Sequence, residues 1–182
     1  MSTPPEDPTG MPDPTDSLLP GVSDEDLARI TTDFINNGKT MRELKGIARE
    51  ELEAVYGIAY NSYAGGDYQK ARKLFQFLCF FDHLERKYWL GLGGCRQMLE
   101  DYAPAIEAYT FAMLLDSSDP APPFHAAECH IGLGDREAAI SGLTAALEWS
   151  GDRPEQFRSL RARAEAMLAI LEESGQSAAA GE

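Results

Sequence analysis

Four residues close together, His125, Glu128, Cys129 and His130, are of the types that bind metals or move protons. Imidazole and thiolate are zinc ligands, and a carboxylate beside an imidazole can orient it. His125 and Cys129 lie one helical turn apart. No Cys-x-x-Cys or His-x-x-x-His pair completes a ligand set, however. Cys95 and Cys129 are 34 positions apart, and a small apolar thiol that recurs at a fixed step reads as helix packing. The chain holds no Gly-rich phosphate loop, nucleophile elbow or zincin motif, and no nucleophile–base pair can be nominated. The expectation is a protein that is not an enzyme and has no metal site and no cofactor.

A second set of residues offers binding chemistry. Tyr56, Tyr60 and Tyr63 are spaced four and three apart, on one face if this stretch is helical. A tyrosine row presents large rigid apolar bodies with hydroxyls that can stay wet. Further along, Leu90, Gly94, Gln97 and Met98, then Phe124, His125 and Glu128, fall at corresponding places. Methionine adapts to an irregular partner, and Gly94 lets a side chain or backbone come close. These ten residues are the candidate peptide-binding surface.

The elements that must position them repeat. Ala71, Ala105 and Ala139 recur at intervals of 34, as do Ala59, Gly93 and Ala127. Phe75, Tyr109 and Leu143 keep the same step, and so do Leu78, Ala112 and Ala146. The turns read Gly66-Asp67-Tyr68, Glu100-Asp101-Tyr102 and Gly134-Asp135-Arg136. An Asp before each second helix is placed to act as N-cap, and Gly66 and Gly134 suit the left-handed residue that ends the first. This is the period of the tetratricopeptide helix–turn–helix unit. One helix pair cannot cover its own apolar face, so pairs stack into a superhelix with a concave side built from the first helices. The predicted fold is all-α: three helix pairs at roughly 51–64 and 67–81, 85–99 and 101–115, 121–133 and 135–149.

Around residues 51–150 the expected organisation is a Pro-rich disordered tail over 1–22, N-terminal helices over 23–50, a capping helix over 151–173 and a flexible tail over 174–182. Ser23 is placed to cap the first helix, whose stripe is Leu27, Ile30, Phe34 and Ile35. That stripe serves either as a cap on the first repeat or as a dimerisation surface. Thr40 can cap a second short helix carrying Met41, Leu44, Ile47 and Ala48. Pro154 can open the last helix, with Phe157, Leu160, Ala164, Met167, Leu168 and Leu171 inside and Arg158, Arg161, Arg163 and Glu165 outside.

The formal charge of −14 argues against nucleic acid and anionic membrane as partners. No apolar run reaches the roughly 18 residues of a membrane span. Met1-Ser2-Thr3-Pro4-Pro5 lacks the basic and apolar regions of a secretory signal, and three cysteines in helical pattern read as reduced thiols in the cytosol. Tetratricopeptide domains that clamp a C-terminal carboxylate use Lys, Asn and Arg where this chain has Glu53, Tyr56, Gly57 and Tyr60, then Lys87, Leu90, Gly91 and Gly94. One lysine is not a clamp. An apolar, extended ligand is expected.

The stretch from Tyr88 to Gln97 and the stretch from Pro123 to Cys129 closely resemble signature segments of the class II type III secretion chaperones, the LcrH/SycD group. Tyr56 to His83 fits the same family, and the resemblance spans about 24–170. It implies a bacterial cytoplasmic, ATP-independent chaperone for two hydrophobic translocator proteins of a virulence-associated secretion needle. In that family the groove takes an extended translocator segment and N-terminal helices can form a homodimer. Tyr56, Tyr60 and Tyr63 match its groove aromatics. The competing reading is a tetratricopeptide adaptor that joins folded partners.

Overall fold

The computed structural model describes residues 38–151 and 155–179, with side chains described to Glu173. Eight helices and no strand occur among the described residues: α1 (Met41–Lys45), α2 (Arg49–Ala64), α3 (Tyr68–Phe81), α4 (Arg86–Met98), α5 (Tyr102–Leu115), α6 (Ala121–Leu133), α7 (Arg136–Trp149) and α8 (Arg158–Ala179). The helices α2/α3, α4/α5 and α6/α7 form the three expected pairs, each within two residues of its predicted bounds. The expectations for 1–22, for Ser23, Leu27, Ile30, Phe34 and Ile35, for Pro154 and for the last residues lie outside what is described.

The turn chemistry repeats with the sequence. The amides of Gly66, Glu100 and Gly134 donate to Tyr63, Gln97 and Ile131, while those of Asp67, Asp101 and Asp135 reach back to Ser62, Arg96 and His130 at 2.9 Å. This pair of bonds requires a left-handed residue just past each helix. Gly66 and Gly134 supply it at φ +82° and +75°. Glu100 adopts φ +61° at the same place, the one non-glycine residue with positive φ among those described.

The caps follow the expected pattern twice, not three times. Asp67 accepts from the Lys70 amide and Asp135 from the Ala138 amide, both at 3.1 Å. Asp101 makes no side-chain cap bond. The third helical position, which donates in the other two turns, is Pro104 here and has no N–H to give.

Thr40 does cap α1, in a reciprocal box with Glu43. The helix is shorter than expected because Gly46 turns left-handed at φ +66°, leaving Ile47 and Ala48 in the connection to α2.

The recurring residues form the core. Ala59, Gly93, Ala127, Ala71, Ala105, Ala139, Phe75, Tyr109, Leu143, Leu78, Ala112 and Ala146 are all buried. Gly93 stands where the other pairs have Ala because the Tyr109 ring occupies the space: a β-carbon would lie 2.6 Å from Tyr109 Cε1. Helix α8 packs Leu160, Ala164, Met167, Leu168 and Leu171 against Phe124, Leu143 and Ala146. Arg161 and Arg163 are not wholly outward. Arg161 donates to Leu147 O and Ser150 Oγ at 3.0 and 2.8 Å, and the Arg163 guanidinium lies 4.7 Å over the Phe124 ring. Carbonyls at the end of α7 and a ring face reward a cation there.

Candidate functional site

Because the pairs stack, side chains 34 apart line up across the first helices. The rows are Glu53, Lys87, Ala121; Tyr56, Leu90, Phe124; Gly57, Gly91, His125; Tyr60, Gly94, Glu128; and Tyr63, Gln97, Ile131. A cleft of about 280 Å³ opens along them, lined by Tyr56, Tyr60 and Tyr63 of α2, Lys87, Leu90, Gly91 and Gly94 of α4, and Ala121 and His125 of α6. Phe75 and Tyr109 complete the floor. The structure thus brings together six of the ten residues selected from the sequence. The lining residues not selected are Phe75, Lys87, Gly91, Tyr109 and Ala121. Gly91 and Lys87 were legible from their rows. Phe75 and Tyr109 belong to second helices and reach the cleft floor only through packing.

The tyrosines are open to the cleft rather than sealed in the core. Tyr60 is 56 % exposed, and Tyr56 and Tyr63 are half-buried. The Tyr56 ring sits 6.3 Å from Tyr60 and 5.9 Å from Phe75. Lys87 Nζ lies 4.5 Å from its centroid and bonds both carboxylate oxygens of Glu53 at 2.6 and 2.7 Å. That pairing keeps the lysine charge balanced and its stem against the ring. Tyr63 meets Tyr68 edge-on at 5.4 Å. Burial, with the nearby Cys95, Tyr68 and Glu128, pushes its hydroxyl pKa up, so it stays protonated as a donor.

Gly91 and Gly94 shape the floor differently. A β-carbon at Gly91 would fall 2.2 Å from Phe75 Cε1, whereas one at Gly94 would meet Tyr63 at 3.4 Å. The first glycine is required by packing. The second leaves free depth between two walls.

The far wall is polar. Glu128 accepts from Gln97 Nε2 at 3.0 Å and from Arg163 Nη2 at 2.6 Å, and its Oε2 lies 2.8 Å from His125 Nδ1. Gln97 accepts in turn from the Tyr109 hydroxyl at 2.7 Å. Gln97 and Glu128 are therefore engaged with each other behind the cleft, not among its lining residues. Met98 is exposed but does not line the cleft either. Phe124 departs furthest from expectation. It shares its row with Tyr56 and Leu90, yet it is fully buried, because α8 lies across that position in the third pair.

Little here suits covalent chemistry. Cys79, Cys95 and Cys129 are buried, and burial pushes each thiol up to about 12. Such thiols are poor nucleophiles and poor metal ligands at neutral pH. His125 faces Glu128, Cys129 lies in the core with Ala105 and Tyr109, and His130 is turned to Asp135. Among the described residues no three His, Cys, Asp or Glu side chains converge. None of the described helices is long and apolar enough to cross a membrane.

Comparison with known proteins places this architecture. A tetratricopeptide repeat family model matches residues 52–83. The chain is 41 % identical over 138 residues to low calcium response locus protein H of Yersinia pseudotuberculosis, covering 76 % of this chain and 82 % of that one. PcrH of Pseudomonas aeruginosa, solved in complex with the chaperone binding region of PopD, is 41 % identical with a TM-score of 0.69, covering 71 % of this chain and 97 % of that one. SycD, the type III secretion translocator chaperone of Yersinia enterocolitica, solved in an alternative dimer, is 40 % identical with a TM-score of 0.68, covering 71 % and 97 %.

Proposed function

The chain belongs to the class II type III secretion chaperones, the LcrH/SycD family, and from that premise we propose that it holds an extended apolar segment of a hydrophobic translocator in the cleft beside Tyr60. The observation that carries the reading is the open row of Tyr56, Tyr60 and Tyr63 facing Leu90, Gly94 and His125. PcrH, of the same fold, was solved with the chaperone binding region of PopD, and SycD with a peptide of the translocator YopD. At about 280 Å³ the cleft has room for a few side chains of a peptide segment and not for a folded domain.

The action is stoichiometric and needs neither ATP nor catalysis. A translocator carries long apolar segments for later insertion in a membrane, and in the bacterial cytoplasm these would aggregate or insert early. Covering one removes the exposed surface. Two translocators of one secretion system are the clients. The charge of −14 keeps the complex soluble and away from anionic lipid. Gln97, Glu128 and Arg163 stiffen the far wall, and α8 covers the end of the stacked pairs.

The experiment is Tyr60→Ala with Tyr63→Ala, assayed by coexpression with a candidate translocator. The expected outcome is an intact fold by circular dichroism and loss of the soluble complex. A folded double variant that rescues the translocator as well as the parent does would remove the cleft from the function. An adaptor would instead bind a partner that is soluble alone.

A further inference from the structure

One polar atom on the cleft wall is left over. The His125 ring lines the cleft, and its Nδ1 is taken up by Glu128 at 2.8 Å. The other ring nitrogen, Nε2, has no hydrogen-bond partner among the described residues. The ring stacks on Tyr109 with centroids 5.6 Å apart and meets Phe124 edge-on at 5.4 Å. Those two contacts hold the plane of the imidazole, and the Glu128 bond sets which edge is turned away from the cleft.

The direction of the surrounding hydrogen bonds decides which nitrogen carries the hydrogen. Burial pushes the Tyr109 hydroxyl pKa up, so it keeps its proton and donates to Gln97 Oε1 at 2.7 Å. With its oxygen occupied, Gln97 turns its amide nitrogen to Glu128 Oε2 and donates at 3.0 Å. Arg163 donates to the other carboxylate oxygen at 2.6 Å. Glu128 is held ionised by these donors, and an ionised carboxylate only accepts. His125 Nδ1 therefore bears the hydrogen, and in the neutral ring Nε2 is an acceptor. Tyr109 of α5, Gln97 of α4 and Arg163 of α8 act as positioning residues: they set the chemistry of an atom that none of them bonds.

We infer that His125 Nε2 reads the main chain of the bound segment: it accepts a hydrogen bond from one backbone N–H and so demands a residue other than proline at that point. The inference rests on the cleft being the translocator site and names what that site requires of its occupant. An apolar segment offers few side-chain donors, but every residue except proline carries an N–H. Covering Nε2 with carbon alone would strand an acceptor away from water, which costs more than the bond itself returns. A buried acceptor left unpaired rejects a ligand more sharply than an apolar surface can. The tyrosine row thus grips apolar side chains, and His125 fixes the register of the segment that carries them.

Two measurements test this. The first is nitrogen NMR of the full chain with labelled histidine. The free protein is expected to show His125 with a hydrogen on Nδ1 and a bare Nε2. The Nε2 resonance is expected to move to a hydrogen-bonded position on adding the PopD region with which PcrH was solved. The second is calorimetric titration with that region as a synthetic peptide, its amides replaced one at a time by esters, each of which deletes one N–H. One ester is expected to weaken binding to the parent about tenfold, and the same ester to change binding to His125→Phe less than about twofold. Proline at that position is expected to be rejected by the parent as well. A hydrogen on Nε2 in the free protein would overturn the inference, and that arm decides alone if His125→Phe does not fold. An ester scan with the same profile for the parent and His125→Phe would also overturn it. A different result sinks the cleft reading, and this inference with it: a parent that does not bind the region, or a folded Tyr60→Ala with Tyr63→Ala variant that binds it as tightly as the parent.

Discussion

Arg163 donates a 2.6 Å hydrogen bond to Glu128, which ties the far wall of the cleft to the last helix across 35 residues of sequence. Burial works to raise the Glu128 pKa. Hydrogen bonds from His125 and Gln97, with the charges of His125 and Arg163, outweigh it and hold the carboxyl below its ordinary range. A carboxylate held low in the folded state stabilises the fold above its unfolded pKa of about 4.3 and loses that contribution as pH falls through the folded value. Urea unfolding should therefore show the parent more stable than Glu128→Gln by about 1–2 kcal/mol at neutral pH. The gap should close in acid, below the ordinary carboxylate range. A gap of the same size at both pH values would mean that the ionised pairing is not its source.

The two glycines of the cleft floor should respond in opposite ways. Gly91→Ala must displace the buried Phe75 ring, an overpacking that costs about 1–3 kcal/mol and lowers the melting temperature. Gly94→Ala meets only ordinary contact with Tyr63 and gains up to about 1 kcal/mol of helix propensity. Its melting temperature should rise while its affinity for a translocator segment falls, because the added methyl fills the dip. Thermal melts and calorimetric titration of both variants decide this.

Glu100 should be replaceable with profit. Its φ of +61° is strained for a residue with a β-carbon, and the equivalent turns use Gly66 and Gly134. Glu100→Gly is expected to stabilise by about 1 kcal/mol, or roughly 2–4 °C in melting temperature. Pro104→Ala should add to it by returning the amide that Asp101 lacks. A fall in melting temperature for Glu100→Gly would mean that its side chain contributes more than its backbone costs.

The cysteines should be silent in the folded protein. With thiols near 12 and no access, Cys79, Cys95 and Cys129 are expected to resist alkylation at mild alkaline pH and to react fully in urea. Rapid native labelling of any one of them would place it at the surface.

Much of this protein is written at the level of spacing. The step of 34 located six helices to within two residues, because stacked pairs can bury a continuous core only if small and large residues recur in register. The same step placed Tyr56, Tyr60, Tyr63, Leu90, Gly94 and His125 on the inner side. Two of three left-handed turns and two of three Asp caps followed from residue type alone, since those bonds are local; Glu100 took the third turn against its type. The third cap failed for a reason also present in the sequence, Pro104, whose missing amide is the one Asp101 needed.

What spacing could not decide is what lies against each row from elsewhere in the chain. Tyr56 and Phe124 hold equivalent positions, yet one lines an open cleft and the other is sealed by α8. Gly91 and Gly94 are both helical glycines, but only Phe75, brought over from α3, makes the first indispensable. Periodicity is a property of neighbours within a repeat and is legible one residue at a time. Exposure is a property of distant contacts, and only the packed tertiary structure determines it.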